Sequence, residues 1–154
     1  MKPIQMSLLA ALLCLGCTPA AESQAAPPVQ SAQHHQEKGK TMQITIGQHH
    51  FAADLANTAA AAELRDLLPL TLNMADHLSN EKHGELPRTL NRNDSRPGRI
   101  QAGDIMLWQG HTLVVFYESF DSAYSYTRLG KIREVENLKA AVGRGHIEMR
   151  FGME

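Results

Sequence analysis

Two apolar runs near the middle of the chain are the clearest elements that the sequence predicts. They cover residues 104–108 and 112–117, are rich in β-branched and aromatic side chains, and are separated by Gln109 and Gly110. Glycine supplies the positive φ angle that a tight turn needs, so the two runs predict a β-hairpin. Both alternate faces of each run are apolar, which is typical of strands covered on both sides. We therefore expect the hairpin to lie at the centre of the fold.

Shorter periodic segments surround the hairpin. An apolar residue at every second position indicates a half-buried strand, and apolar residues three and four positions apart indicate an amphipathic helix. Besides the hairpin, strands are predicted at 42–46, 51–55, 70–75, 124–129 and 147–151, and a polar, irregular strand or loop at 81–90. Helices are predicted at 58–68, with Asn57 as N-cap, and at 135–142, a loop at 118–123, and a tight turn at 130–131.

Together these elements predict a mainly β domain over residues 41–154. About eight short strands with two short helices favour a closed or nearly closed eight-stranded β-barrel, because closure removes exposed strand edges. We expect the helices to cover the open ends of the barrel.

The composition fits one globular domain and excludes several functions. The chain has 154 residues, 43% of them hydrophobic, and a formal net charge of -1. A near-neutral balance without a long basic run gives no electrostatic reason to expect nucleic-acid binding. Both cysteines lie within residues 1–17. The predicted domain therefore has no thiol for catalysis or metal binding.

Residues 1–17 have the anatomy of a signal peptide. Lys2 forms a short basic region, and the apolar run at 6–15 is too short to cross a bilayer as a stable helix. The segment ends in LCLGC, which resembles the lipobox of bacterial lipoproteins, although Cys14 stands where that pattern usually has Leu. The resemblance implies that Cys17 is lipidated and becomes the mature N-terminus.

Residues 18–40 predict a flexible tether. They are mostly Ala, Pro, Gln, Ser and His, with almost no large apolar side chain, and so cannot bury enough surface to offset the entropy of ordering. We expect the domain to be lipid-anchored at a membrane of the bacterial cell envelope, at the outer membrane or facing the periplasm. The alternative is ordinary secretion to the periplasm after cleavage near Ala21 or Ala25.

Several blocks of residues 41–154 resemble the bacterial cyclophilin-like fold family, whose members are small domains of unassigned function that are often secreted or lipid-anchored. The resemblance covers essentially the whole domain and implies an eight-stranded β-barrel closed by helices. It implies little about function, because a fold does not carry one. The blocks are LPLTLNM at 68–74, ELPRTL at 85–90, GDIMLW at 103–108, TLVVFY at 112–117 and SAYSYTRLG at 122–130.

True cyclophilins are prolyl isomerases, and the sequence blocks that mark their active site are missing here. The sequence contains neither an Arg-Phe-His block nor a Phe-Met-Gln block. Glycine-rich phosphate loops, nucleophile elbows and His-Glu-x-x-His motifs are also absent. The sequence therefore favours a non-catalytic binding or accessory module without a cofactor. A divergent peptidyl-prolyl isomerase is the alternative.

The best candidate binding surface is aromatic. By the period of two, Tyr124, Tyr126 and Arg128 share one face of the strand predicted at 124–129. Tyrosine rings beside a guanidinium suit a peptide or a small planar ligand, through stacking and hydrogen bonds. Arg88 is a further candidate, since it and Arg128 can each donate to an amide. The alternative is that these side chains only pack against neighbouring strands.

For the histidines and the tryptophan, the sequence predicts structural roles and not functional ones. His77, His83, His111 and His146 are widely spaced in the sequence, and a metal site needs several convergent ligands. We therefore expect surface or turn histidines and no metal site. Trp108 belongs to a run that is apolar on both faces, so we expect it in the core.

Overall fold

The computed structural model describes residues 40–154, which form ten strands and two short helices. The predicted signal peptide, the predicted lipidation site at Cys17 and the predicted tether, apart from Lys40, lie outside this range. Among residues 40–154, no helix is long and apolar enough to cross a membrane. The elements are β1 Thr41–Ile46, β2 His49–Leu55, α1 Ala59–Arg65, β3 Leu70–His77, β4 Glu81–Glu85, β5 Gly98–Ile100, β6 Asp104–Trp108, β7 Thr112–Phe116, β8 Phe120–Ser122, β9 Thr127–Ile132, α2 Leu138–Val142 and β10 Ile147–Met153.

Eight of the strands close into an antiparallel barrel. Their order around the barrel is β1-β10-β3-β4-β7-β6-β9-β2, and β2 pairs with β1 to complete the circle. The two remaining strands, β5 and β8, form a separate two-stranded sheet. The closed eight-stranded barrel with two short helices confirms the predicted fold class.

The predicted central hairpin is confirmed as β6 and β7, and both of its faces are covered. Gln109 and Gly110 form its turn with φ angles of 50° and 84°, the left-handed conformation that a two-residue turn requires. One face of the hairpin joins the core inside the barrel through Ile105, Leu107, Leu113 and Val115. The other face joins a second apolar cluster outside the barrel, formed by Ile100, Met106, Val114, Phe116 and Tyr126, with Trp108 and Phe120 packed against it.

A buried lysine lies on the inner face of β4. Lys82 is fully buried, and its Nζ donates to Asp76 Oδ2 and to the carbonyl oxygen of Gly145, each at 2.7 Å. The hydroxyl of Tyr117 donates to the same carboxylate oxygen at 2.8 Å. The charge of Lys82 is therefore compensated within the barrel.

The structure corrects the strand predicted at 124–129 and the turn predicted at 130–131. β9 runs instead over Thr127–Ile132, so that Gly130 lies within the strand. A Cβ atom at position 130 would lie 2.5 Å from the carbonyl oxygen of Asp54 on β2. Glycine is needed there because two strand backbones approach closely, and no turn forms.

The other corrections concern short elements. Thr58, and not Asn57, is the N-cap of α1, because its hydroxyl oxygen accepts from the backbone N–H of Ala61. The loop predicted at 118–123 contains β8, which pairs with β5. The second helix is shorter than predicted, since only Leu138–Val142 is helical.

Candidate functional site

The outer face of four neighbouring barrel strands carries an unusual row of polar side chains. On β4 the side chains alternate strictly: Lys82 and Gly84 are buried in the barrel, while Glu81, His83 and Glu85 project outward. His77 on β3 lies directly opposite Glu81. On the other side of β4, Thr112 on β7 lies opposite Glu85 and in turn opposite Trp108 on β6. These outward side chains form the floor of a cavity.

Aromatic side chains from the segment 120–126 form a wall above this floor. The ring of Trp108 meets Tyr124 edge-on, with centroids 5.5 Å apart, and lies 5.3 Å from the ring of Tyr126. Phe120 contacts Phe116 of the floor strand β7, with centroids 5.8 Å apart. Tyr126 is held in place by its backbone bridge to Ser95. The wall is therefore built from packed rings and is attached to the barrel surface.

Floor and wall enclose a cavity of about 500 Å³. Ligand pockets in proteins commonly span about 300–1,000 Å³ and combine apolar walls with a few polar groups. No lysine or arginine is among the described residues that line this cavity. The lining is His77, Leu78, Asn80, Glu81, His83, Glu85, Trp108, Gln109, His111, Thr112, Val114, Phe120, Tyr124 and Tyr126. We call it the aromatic cavity.

The two carboxylates of the aromatic cavity differ in their surroundings. Glu85 accepts a hydrogen bond from the hydroxyl of Thr112 at 3.0 Å and lies 3.4 Å from Nε2 of His111. Glu81 is half-buried, and no hydrogen bond or ion pair joins its carboxylate to a described side chain. Burial raises the pKa of Glu81, and the nearby His77 only partly opposes this effect. Burial, followed by the charge of Glu81, raises the pKa of the Tyr126 hydroxyl.

A second acceptor stands next to Glu81 in the chain. Oδ1 of Asn80 is buried and has no hydrogen-bond partner among the described residues. Asn80 is fixed by its backbone, because its carbonyl oxygen accepts from the N–H groups of Tyr117 and Glu118. An acceptor that is withdrawn from water and lacks a donor is costly, and such groups are rare in folded proteins.

The histidines that the sequence leaves scattered are brought together here. His77 and His83 meet edge-on, with ring centroids 6.1 Å apart, and His111 lines the same cavity. Among residues 40–154, no three His, Asp or Glu side chains are grouped so that they could hold a metal ion. The three imidazoles therefore contribute polar ring atoms to one lining.

The four binding candidates from the sequence are divided by the structure. Tyr124 and Tyr126 line the aromatic cavity. Arg88 lies elsewhere, 3.5 Å from the carbonyl oxygen of Glu63 and 3.9 Å from its carboxylate. Arg128 is exposed on β9, with Nη1 3.6 Å from the buried Asp104. Neither arginine is among the lining residues.

Sequence reasoning missed Trp108, the glutamates and the histidines of this site. Trp108 is half-buried on the outer face of the barrel, and not in the interior core as predicted. The missed signal on β4 was the alternation of Glu81, His83 and Glu85 with two inward residues. That alternation carries no apolar marker, so a polar strand and a loop look alike in sequence.

A second, smaller cleft of about 390 Å³ is formed by residues of β2 and of the segment that follows β9. It is lined by His49, His50, Phe51, Ala52, Arg133, Glu134, Glu136 and Asn137. Its lining is mostly charged and polar, and the aromatic wall that distinguishes the first cavity has no counterpart in it.

A closed eight-stranded antiparallel barrel with two short helices is consistent with a cyclophilin-like fold, and sequence comparison agrees. The chain belongs to the Cyclophilin-like family, which matches residues 44–152. No curated protein sequence is significantly similar to the chain.

Solved structures that are similar to the chain share its fold, among them McbB and AF2241. The structure of McbB in complex with tryptophan superposes with a TM-score of 0.59 at 19% identity, over 73% of this chain and 44% of McbB. The chain thus spans less than half the length of McbB. The solution structure of the hypothetical protein AF2241 from Archaeoglobus fulgidus gives a TM-score of 0.51 at 14% identity, over 79% of this chain and 99% of AF2241.

Proposed function

We propose that this domain is a non-catalytic binding or accessory module. Its aromatic cavity binds a small molecule or a side chain of a short peptide. The observation that carries the proposal is the cavity itself. It has the volume of a ligand pocket, a wall of packed aromatic rings and a floor of convergent polar groups. Aromatic walls suit flat ligands, because they offer large contact area with little loss of side-chain entropy.

The neighbouring structures support the proposal at the level of the fold. McbB was solved in complex with tryptophan, an aromatic small molecule. At 19% identity this likeness establishes only that the two chains share a barrel. The ligand of the present domain must therefore be inferred from its own lining residues.

A divergent peptidyl-prolyl isomerase is the alternative function. An isomerase needs a donor that stabilises the twisted amide, and Arg88 and Arg128 were the candidates for that role. Both lie outside the lining of the aromatic cavity, where they pair with Glu63 and Asp104. This placement favours binding over catalysis. A proline-isomerisation assay on a short peptide, with cyclosporin as competitor, separates the two functions.

Fragment mapping by NMR tests the binding function. Aromatic fragments of positive, neutral and negative charge are titrated into isotope-labelled protein. We expect at least one fragment to shift the indole N–H of Trp108 and the amides of Tyr124 and Tyr126. A Trp108→Ala variant, which has no indole resonance, should lose the shifts of the Tyr124 and Tyr126 amides. If every fragment leaves these resonances unchanged, or if the shifts map to the cleft around His49, the aromatic cavity is not the ligand site.

The second part of the proposal concerns the cellular location of the domain. We infer that Cys17 carries a lipid and that residues 18–40 tether the domain to a membrane of the cell envelope. Support comes from the resemblance of LCLGC to the lipobox and from the low apolar content of the tether. A domain held at a membrane would sample ligands or partners of the envelope with its outer barrel face.

A further inference from the structure

The aromatic cavity holds negative charge without a fixed positive charge to balance it. Glu81 and Glu85 are part of the lining, whereas none of the described lining residues is a lysine or arginine. Lys82, which lies between these glutamates on β4, points into the barrel and is engaged with Asp76. Arg128 on the outer surface is engaged with Asp104. An anionic ligand would therefore meet carboxylates and no permanent cation.

Two adjacent residues of the lining present acceptors to which the described part of the chain brings no donor. Oδ1 of Asn80 is buried and unpartnered. The half-buried carboxylate of Glu81 makes no hydrogen bond or ion pair with a described side chain, and it lies opposite His77 across the strand pair. Glu85 differs, because Thr112 already donates to it at 3.0 Å. Because Oδ1 of Asn80 is withdrawn from the surface, the acceptor that a hydrogen-bond-donating ligand would satisfy is the carboxylate of Glu81.

The aromatic rings of the wall, together with that of Trp108, also favour a positively charged ligand. The faces of aromatic rings carry negative electrostatic potential and attract cations, most strongly for tryptophan. Trp108 lies within 5.5 Å of both Tyr124 and Tyr126, measured between ring centroids, so three such rings border one space. The same rings bury flat apolar groups well.

We propose that the aromatic cavity selects a cationic ligand, namely a protonated amine carried on an aromatic or other flat apolar group. The ammonium group hydrogen-bonds to Glu81, and the flat group packs against Trp108 and Tyr126. This inference rests on the proposed binding function and adds the chemical class of the ligand. No covalent step is involved.

Three probes of nearly equal shape test the charge preference. They are 2-phenylethylamine, which is a cation at neutral pH, 2-phenylethanol, which is neutral, and 3-phenylpropanoate, which is an anion. Binding to the full chain is followed by the fluorescence of Trp108, the single tryptophan of the sequence. We expect the amine to bind at least about tenfold more tightly than the alcohol, and the anion to bind most weakly, as a charge-assisted hydrogen bond implies.

Two matched variants test whether Glu81 binds the ammonium group. Glu81→Gln keeps the size of the side chain and removes its charge, and we expect it to weaken amine binding about tenfold or more while leaving the alcohol nearly unaffected. Glu148→Gln makes the same chemical change on β10, at an exposed position outside the lining. It should leave amine binding unchanged, which controls for net charge. Circular dichroism confirms that both variants are folded.

The outcomes separate this inference from the proposed function. If all three probes bind equally well, the cavity is a ligand site but the preference for a cation is wrong. If the amine binds preferentially but Glu81→Gln has no effect, Glu81 does not bind the ammonium group. If no probe changes the fluorescence and none shifts cavity resonances, both proposals fail. The charge ranking is measured on the unmodified protein, so it remains decisive even if Glu81→Gln does not fold.

Discussion

At the scale of single residues, the buried ammonium group of Lys82 imposes an electrostatic constraint inside the barrel. Removing a charge from water is costly unless partners compensate it, and Lys82 is fully buried. Asp76 supplies the opposite charge, the Gly145 carbonyl a further acceptor, and Tyr117 a donor to the same carboxylate. The hydrogen bond from Lys82, followed by that from Tyr117, lowers the pKa of Asp76. Burial, and next the bond to Asp76, raises the pKa of Tyr117.

The lowered pKa of Asp76 predicts a loss of stability in acid. A carboxylate whose pKa is lower in the folded state stabilises the fold at pH values above its unfolded pKa, near 3.8. This contribution is lost as the pH falls through the folded pKa. We therefore expect the free energy of unfolding to decline below about pH 4. Chemical denaturation at a series of pH values from neutral to acid measures it.

Asp76→Asn is the variant that isolates this effect. Leaving Lys82 buried without an opposite charge should cost about 3 kcal/mol at neutral pH, at the lower end for a broken buried pair. The difference from the unmodified protein should then shrink as the pH falls into the acid range. Asp121→Asn, which removes an exposed partner of Arg99, should cost less than about 1 kcal/mol. A difference for Asp76→Asn that stays constant with pH would contradict the assignment.

The half-buried Glu81 contrasts with Asp76. Asp76 is compensated by a lysine and a tyrosine, whereas Glu81 lacks such a partner among the described side chains and its pKa is raised by burial. A carboxyl group whose pKa is higher in the folded than in the unfolded state adds to the free energy of unfolding at pH values below its unfolded pKa. That addition is lost as the pH rises through its folded pKa. Ionisation of the half-buried Glu81 therefore costs stability. Groups that cost stability and line a cavity are typical of functional sites.

At the scale of elements, the contact between β9 and β2 depends on the missing side chain of Gly130. These strands pair through Ala53, Asp54 and Leu55 on β2. A Cβ atom at position 130 would come within 2.5 Å of a backbone oxygen, which cannot move aside as a flexible side chain would. The pairing that closes this part of the barrel therefore needs glycine.

Gly130→Ala is expected to destabilise the domain. The added methyl group forces the β2 and β9 backbones apart, and overpacking of this kind typically costs about 1–3 kcal/mol. Gly152→Ala on β10 is the matched control, because a Cβ atom at position 152 would have open space within 4 Å and the φ angle there is not positive. Urea denaturation of both variants measures the difference. Equal stability of the two would show that the strands adjust without cost.

The elements with strong apolar periodicity were predictable, and those fixed by contacts distant in sequence were not. The β6–β7 hairpin follows from its two apolar faces and its Gln109-Gly110 turn. The start of β9 was misplaced because Tyr124 and Tyr126 favour strands by propensity, while their actual positions depend on Ser95 and Trp108. Gly130 suggested a turn, since the sequence does not show which backbone approaches it.

The candidate site was predictable only in part, for the same reason. Tyr124 and Tyr126 were identified as candidates because they are aromatic and were predicted to share one strand face with Arg128. The floor arises when β3, β4, β7 and β6 become neighbours in the order that barrel closure imposes. This order brings His77, Glu81 and Trp108 to one surface, although up to 31 positions separate them in the sequence.

At the scale of the whole molecule, the barrel is a solid support for a site on its outside. Its interior is filled by apolar side chains and by Lys82 with its partners Asp76 and Tyr117. The aromatic cavity therefore lies between the outer barrel face and the segment 120–126. The second apolar cluster, around Phe116 and Tyr126, attaches that segment to the barrel.

The proposed lipid anchor predicts where the whole protein is found. Cys17→Ser removes the thiol that would carry the lipid, so we expect the protein to move from membrane to soluble fractions and to lose incorporation of a labelled fatty acid. Cys14→Leu is the matched control, because it alters the other cysteine and brings the segment closer to the usual lipobox. That variant should stay lipid-labelled and membrane-bound. Unchanged membrane partitioning and labelling of Cys17→Ser would show that this cysteine is not the anchor, and ordinary secretion would then replace lipidation as the explanation of residues 1–17.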